Sequence, residues 1–243
     1  MLMSFALSSL RSRGKSLALT FLSLLISVSV LLSVEHVRLQ AQESFNRTVS
    51  DVDLIVGAPS GQLNLMLYTV FRMGSPTNNI SYASYEMLQQ HPQVNWAIPI
   101  SLGDAHHGYR VLGTNQQYFD HYKFGNKQPL VFSQGESFKG VFGAVLGADV
   151  ASALNYKLGD DIVIAHGLGA VSFQNHDDSP FTVTGILAPT GTPVDKTVHV
   201  SLQGIEAMHL PHAQLDSVLE LPDTLTNPAV QPDSVTAVMV GLT

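Results

Sequence analysis

The feature that most constrains this chain is an apolar run near its N-terminus, which reads SLALTFLSLLISVSVLLSV over residues 16–34. The run carries no charge, and a helix needs about 20 apolar residues to cross the hydrocarbon core of a bilayer. It therefore predicts a transmembrane helix over residues 16–35, which follows a basic N-terminus over residues 1–15. We expect the chain to cross the membrane once.

Basic residues on one side of this run predict its orientation. Arg11, Arg13 and Lys15 precede the run, and the positive-inside rule keeps such residues in the cytoplasm. We therefore expect a cytoplasmic N-terminus and an extracytoplasmic main domain. A cleaved secretory signal is the alternative, but its apolar region usually spans about 7–15 residues and ends at a small-x-small site. No clean Ala-x-Ala is found near residues 39–41.

Composition excludes several classes of function. The net charge is -7 with only 12 Lys plus Arg, whereas a nucleic-acid partner requires a concentrated basic face. The sequence contains no cysteine, which excludes disulfides, thiolate nucleophiles and thiolate metal sites. A metal would therefore require histidine and carboxylate ligands.

Residues 36–50 lack glycine and proline, and we expect them to continue the helix as a stalk. Residues 51–243 alternate short strands and short helices irregularly, which predicts a mixed α+β domain of two subdomains. Strands are expected at residues 52–56, 94–102, 109–113, 141–146, 161–165, 181–187, 197–200 and 234–242. Helices are expected at residues 81–90, 115–122, 148–155 and 202–209. The apolar positions of residues 62–73 fit both the helix period and the strand period, so this segment is ambiguous. Residues 123–140 form a polar segment that contains glycine.

Three segments carry a family resemblance. Residues 145–151 read VLGADVA, residues 158–160 read LGD and residues 181–189 read FTVTGILAP. This succession resembles the MacB-like periplasmic core domain of the FtsX/MacB family of ABC transporter permeases. Residues 51–58 (DVDLIVGA) and 76–80 (PTNNI) are similar to the uncharacterised permease branch of that family. The resemblance covers nearly the whole chain.

The resemblance implies a MacB-like periplasmic core domain over residues 51–243, in a permease subunit of the bacterial inner membrane. It also implies mechanotransmission, in which a separate ABC ATPase drives the handling of a periplasmic substrate or lipoprotein through the stalk. A second permease copy and a periplasmic or lipoprotein partner are further implied partners. ATP is expected on the partner subunit, and this sequence has no phosphate-binding G-x-x-x-x-G-K-[ST] motif. Family permeases continue into three further membrane helices, so we expect a truncated permease.

Catalytic motifs are absent from the sequence. It contains no G-x-S-x-G elbow and no H-E-x-x-H, and no nucleophile and base stand in a recognisable pattern. We therefore expect no enzymatic activity. An anchored hydrolase is kept only as a further hypothesis beside the permease subunit.

Histidine gives the remaining chemical signal, since 10 of the 243 residues are histidine. His106, His107, His166 and His176 lie in segments read as loops, and Asp177 or Asp178 could assist them. Imidazole and carboxylate groups are suitable zinc ligands. A membrane-anchored zinc-binding or solute-binding module is therefore the alternative function. Solvated loop histidines are the ordinary explanation, because no ligand spacing typical of zinc sites is present.

Overall fold

The computed structural model describes residues 13–138, 140–166, 180–211, 214–215 and 228–243. The chain divides into two compact units, Met1–Phe45 and Asn46–Thr243. In the described residues, the first unit consists of helix, and the second combines a large sheet with short helices.

The long helix α1 spans Gly14–Thr48 without a break. By length and composition, its part Gly14–Gln40 can cross a membrane. The large apolar side chains of this part are exposed, and such a surface requires lipid or a partner to cover it. The hydroxyl of Thr20 donates to the carbonyl of Ser16 at 3.0 Å, so this polar group is satisfied within the helix.

The second unit begins with the last residues of α1 and continues into strands and short helices. The strands are β1 Leu54–Gly57, β2 Ile80–Ser81, β3 Val94–His106, β4 Tyr109–Thr114, β5 Lys123–Phe124, β6 Gln128–Pro129, β7 Phe132–Gly135, β8 Gly143–Leu146, β9 Asp161–Ile162, β10 Ala165–His166, β11 Phe181–Leu187, β12 Thr197–Ser201, β13 Ser234–Val235 and β14 Ala237–Leu242. The α-helices are α2 Gln62–Thr69, α3 Tyr82–Gln89, α4 Gln117–His121, α5 Ala148–Leu154 and α6 Leu202–Ala207, and the 3₁₀ turns are Pro193–Lys196 and Pro228–Val230.

The main sheet has ten strands among the described residues, in the order β1-β14-β3-β4-β12-β8-β11-β7, with β10 beside β3 and β9 beside β11. Two of its pairs are parallel, β4 with β12 and β8 with β11, and the others are antiparallel. Such mixed pairing with short helices confirms the predicted α+β class. The two expected subdomains share this sheet, because β12 pairs with β4 on one side and with β8 on the other.

Most predicted elements are present, and the differences concern segments where the sequence pattern is weak. Residues 62–69 form the helix α2, which decides the ambiguity between helix and strand. The segment 123–140 carries three short strands, β5, β6 and β7. These strands are only two to four residues long, which is too short for a period of two to be recognised in the sequence.

The hairpin between β3 and β4 corrects the loop expected around His106. Strand β3 continues through Asp104 to His106, which pairs with Tyr109 in β4. Only His107 and Gly108 form the turn, with φ of 47° and 83°. Positive φ at both central residues is typical of a type I′ turn, whose twist matches that of the two strands it connects. His106 therefore lies on a strand.

Buried side chains form two large clusters in this unit. One cluster packs around β8, β11 and β12, and it includes Ala144, Leu146, Val150, Ile162, Ile164, Phe181, Val183, Val198 and Val200. The other packs near β3 and β14, and it consists of Tyr85, Ala97, Leu202, Val235, Val238 and Val240. The N-cap residues of helices α3 and α6 are Ser81 and Ser201, whose side chains accept hydrogen bonds from Ser84 N and Gly204 N. Such capping fixes where these helices start.

Candidate functional site

The junction, which we define as residues 48–53, is where the chain passes from α1 into the sheet. The hydroxyl of Tyr122, at the end of α4, donates to the carbonyl of Thr48 at 2.7 Å. The backbone N–H of Ser50 donates to the carbonyl of Lys123 at 2.8 Å, and the two residues form an isolated antiparallel bridge. The last turn of α1 is thus hydrogen-bonded to the α4–β5 segment.

Asp51 adds an electrostatic contact to the junction. One carboxylate oxygen lies 2.7 Å from Nζ of Lys123, and the other lies 2.5 Å from Nζ of Lys127. The hydrogen bond from Lys123 and then that from Lys127 hold the pKa of Asp51 below its ordinary value of 3.8. Both hydrogen bonds favour the charged carboxylate, so Asp51 remains an anion at neutral pH.

Asp53 connects the junction with the last strand of the sheet. Its backbone N–H donates to the carbonyl of Val240 at 3.0 Å, and its carboxylate accepts from the N–H of Leu242 at 2.8 Å. The following strand β1 pairs antiparallel with β14, with Leu54 opposite Val240. Among the described residues, the first and last strands of the domain are therefore neighbours in the sheet.

A buried column of aromatic and polar side chains leads inward from the junction. The ring of Tyr122 stacks on that of Tyr118, with centroids 4.8 Å apart, and Tyr118 lies 5.1 Å from the ring of His199. Arg72 Nη2 donates to the hydroxyl of Tyr118 at 3.2 Å. All four side chains are buried, so the column joins Thr48 to the centre of the sheet.

Burial dominates the electrostatics of this column. Desolvation raises the pKa of Tyr118 and of Tyr122, so both phenols stay neutral. Desolvation, followed by the positive charge of Arg72, lowers the pKa of His199 to about 3. The column therefore carries no titrating group near neutral pH, which suits a structural role better than proton transfer.

No pattern in the sequence indicates the contacts of the junction or of the column. Asp51 begins the family segment DVDLIVGA, which does not indicate its ion pairs, and Arg72, Tyr118, Tyr122 and His199 lie outside the family segments. The five residues lie up to 148 positions apart in the chain. The tertiary fold alone brings them together. A buried arginine in an otherwise weakly charged domain carries no signature of its own in a single sequence.

The predicted metal ligands fall into two groups. His106 is buried, with Nδ1 2.7 Å from the carbonyl of Val163 and Nε2 3.0 Å from the hydroxyl of Tyr156. A carbonyl can only accept, so Nδ1 donates to Val163 and Nε2 accepts from Tyr156. Desolvation first, and then the neighbouring His107, lower the pKa of His106, although its bond to Val163 opposes them. The lone pair that a metal would require is therefore engaged with Tyr156.

The remaining ligands are less completely described. His107 is exposed and its ring contacts that of His106 edge to face, with centroids 4.5 Å apart. The backbone of His166 pairs with that of Asp104 across β10 and β3, whereas His176, Asp177 and Asp178 lie outside the described residues. Within the described part of the chain, no three His, Asp or Glu side chains form a group that could hold a metal. The zinc site stays a prediction.

A comparison with protein families agrees with the family resemblance. The sequence profile of the family described as "MacB-like periplasmic core domain" matches residues 17–238. Among solved structures, the periplasmic region of MacB from Actinobacillus actinomycetemcomitans is 12% identical with a TM-score of 0.45, and the match covers 82% of this chain and 77% of that chain. The extracellular domain of the noncanonic ABC-type transporter YknZ from Gram-positive bacteria is 14% identical with a TM-score of 0.37, covering 68% and 73%.

No curated protein matches the chain in sequence. The family profile nevertheless spans nearly the whole sequence, including the start of β14 and most of the apolar helix. This extent confirms the resemblance that residues 145–151, 158–160 and 181–189 indicate. The chain therefore belongs to the family of MacB-like periplasmic core domains found in ABC-type transporter permeases.

Proposed function

We propose that this chain is a permease subunit of an ABC transporter of the mechanotransmission type. Its N-terminus lies in the cytoplasm, its helix crosses the bacterial inner membrane, and its sheet domain works in the periplasm. A separate ABC ATPase hydrolyses ATP, and the resulting movement reaches the domain through α1. The domain uses this movement to handle a periplasmic substrate or lipoprotein, and the chain performs no catalysis itself.

The bonded junction is the single observation that carries this proposal. Movement of a helix reaches a domain only if the connection is stiff, whereas a flexible linker would absorb it. Here residues 48–53 contain neither glycine nor proline. They are held by the Tyr122 hydroxyl, by the bridge between Ser50 and Lys123, and by the ion pairs of Asp51. This arrangement is typical of a force-bearing connection.

A flexible insertion tests the coupling. Gly-Gly-Ser is inserted between Ser50 and Asp51, and the matched control carries the same insertion between Thr77 and Asn78, in an exposed loop. The full chain is reconstituted in lipid nanodiscs with the ATPase that purifies with it. Because the chain has no cysteine, Ser16→Cys and Met87→Cys provide a clean pair of spin-label sites on α1 and on the domain.

ATP should change the distance between the two labels in the parent chain and in the control. The insertion at the junction should abolish this change while ATP hydrolysis continues. A change in distance that survives the junction insertion would show that movement does not pass through these residues. Failure of any ATPase to accompany the chain would argue against the transporter role altogether.

The orientation has its own test. A reporter enzyme that works only outside the cytoplasm, fused after Thr243, should be active, and replacement of Arg11, Arg13 and Lys15 by neutral residues should reduce its activity. Activity of a cytoplasm-dependent reporter at the same position would reverse the proposed orientation.

A further inference from the structure

Arg72 and His199, at the inner end of the buried column, carry three buried polar atoms that have no hydrogen-bond partner among the described residues. Arg72 is only 7% exposed, yet its Nε and Nη1 have no hydrogen-bond partner in the described part of the chain. His199 is fully buried, and its Nε2 also has no partner there. Buried polar groups of this kind are nearly always hydrogen-bonded in native proteins, either to protein or to ordered water.

The hydrogen bond on the other side of the imidazole identifies what Nε2 requires. Nδ1 of His199 lies 3.2 Å from the carbonyl of Val145. A carbonyl only accepts, so Nδ1 carries the proton and Nε2 presents a lone pair. Burial keeps the ring neutral, since the pKa of His199 lies at about 3. Nε2 therefore requires a donor, whereas the N–H groups of Arg72 require an acceptor.

Tyr118 neighbours both residues that carry these groups, and the charge of Arg72 acts on His199. Its hydroxyl accepts from Arg72 Nη2 at 3.2 Å, and its ring lies 5.1 Å from the ring of His199. A ligand that satisfies both groups must accept from a guanidinium and donate to a neutral imidazole. A halide or carboxylate cannot donate, and a metal cation would be repelled by Arg72. Water does both, and buried waters typically make about three hydrogen bonds.

We propose that Arg72, Tyr118 and His199 enclose a binding site for one water molecule, which accepts a hydrogen bond from Arg72 and donates one to Nε2 of His199. The water hydrates the buried guanidinium, for which the described residues provide no carboxylate partner. The site lies against the ring of Tyr118, which stacks on Tyr122. It therefore belongs to the same column that holds the carbonyl of Thr48. The site stands on its own geometry and does not depend on the proposed transporter role.

A crystal structure of the full chain, grown in buffer containing bromide, tests the identity of the ligand. We expect one ordered peak within about 2.7–3.2 Å of both His199 Nε2 and a guanidinium nitrogen of Arg72, without anomalous scattering from bromide. An anomalous peak at this position would show that an anion, and not water, occupies the site, which would overturn the proposal. A direct hydrogen bond between Arg72 and His199, or no density between them, would also overturn the proposal.

Nuclear magnetic resonance of the full chain in detergent micelles gives an independent test. With ¹⁵N-labelled histidine, His199 should show a neutral ring protonated at Nδ1, and its ring protons should give cross-peaks to long-lived water. The exposed His91 serves as the internal control, because its surface water exchanges too quickly to give such peaks. A ring protonated at Nε2 would refute the proposal.

A substitution of Arg72 tests whether this residue binds the water. In Arg72→Met the cross-peaks of His199 to water should be lost, because the charged donor is removed. Unchanged cross-peaks in the folded variant would overturn the role of Arg72. If the variant does not fold, the protonation state and cross-peaks of the parent chain still decide the question.

Discussion

Replacement of Gly147 by alanine tests how tightly the domain is packed around α5. Gly147 precedes this helix and lies in residues 145–151, the segment that first indicated the family. A Cβ at this position would lie 2.3 Å from the carbonyl oxygen of Val194 and 2.4 Å from that of Asp195. Its φ of -65° and ψ of 154° suit alanine, so the cost arises from steric overlap alone.

The size of the effect follows from what would have to move. Real Cβ contacts essentially never fall under 3.0 Å, so the backbone of the Pro193–Lys196 turn must shift by about 0.7 Å. Val194 and Asp195 are buried, and the carboxylate of Asp195 accepts hydrogen bonds from the N–H groups of Thr190 and Gly191. Overpacking of a core costs about 1–3 kcal/mol. We place this change at the upper end, about 3 kcal/mol, because backbone rather than a side-chain tip must yield.

Thermal unfolding of the full chain in detergent, followed by fluorescence, measures this cost. Trp96 is the only tryptophan and lies in β3, so its emission reports the sheet domain alone. With about 2–4 °C per kcal/mol for a domain of this size, Gly147→Ala should lower Tm by about 6–12 °C. Gly103→Ala is the matched control, because a Cβ there meets nothing within 4 Å, and its Tm should hardly change. Equal Tm values for the two variants would refute the packing argument.

Four further predictions concern the junction, the domain and the histidines. Tyr122→Phe should lower Tm by about 2–8 °C, because the buried carbonyl of Thr48 loses a donor, at about 1–2 kcal/mol. The ion pairs of Asp51 should stabilise the domain above pH 3.8 and be lost as pH falls through the lowered pKa of Asp51, so Asp51→Asn should reduce acid sensitivity in a pH series of Tm values. Residues 46–243 should unfold cooperatively as a largely monomeric fragment. Zinc should raise the Tm of that fragment, less so below about pH 6.5, and His176→Ala should abolish the rise.

Each of these predictions has an outcome that contradicts it. An unchanged Tm in Tyr122→Phe would mean that its hydroxyl does not hold the end of α1. The same dependence of Tm on pH in the parent and in Asp51→Asn would show that the ion pairs of Asp51 do not stabilise the domain. A fragment 46–243 without a cooperative transition would show that the domain needs the membrane helix or a partner. If calorimetry detects no zinc binding at neutral pH, these histidines do not form a zinc site.

The hairpin of β3 and β4 shows where local sequence reasoning stops. The sequence predicts both strands but ends the first at residue 102, which leaves His106 in a loop, whereas β3 continues to His106. The turn contains only His107 and Gly108. Its type I′ geometry is less easily recognised from His-Gly than from the usual Asn-Gly or Asp-Gly. The sequence therefore presents His106 as a candidate metal ligand, whereas in the fold its ring bonds Val163 and Tyr156.

The sequence by itself determined the long apolar helix near the N-terminus, the α+β class, most strands and helices, and the family. These properties depend on local features, namely an unbroken apolar run, hydrophobic periods, capping residues and short motifs, which can be read without knowledge of the partners. Only the tertiary structure decided the strand order, the bonded junction and the buried column. Arg72, Tyr118 and His199 meet because β12, which carries His199, lies between β4 and β8, and because Tyr118 of α4 packs against His199. Contacts between such distant residues are selected by the packing of the whole core, and no local pattern in the chain encodes them.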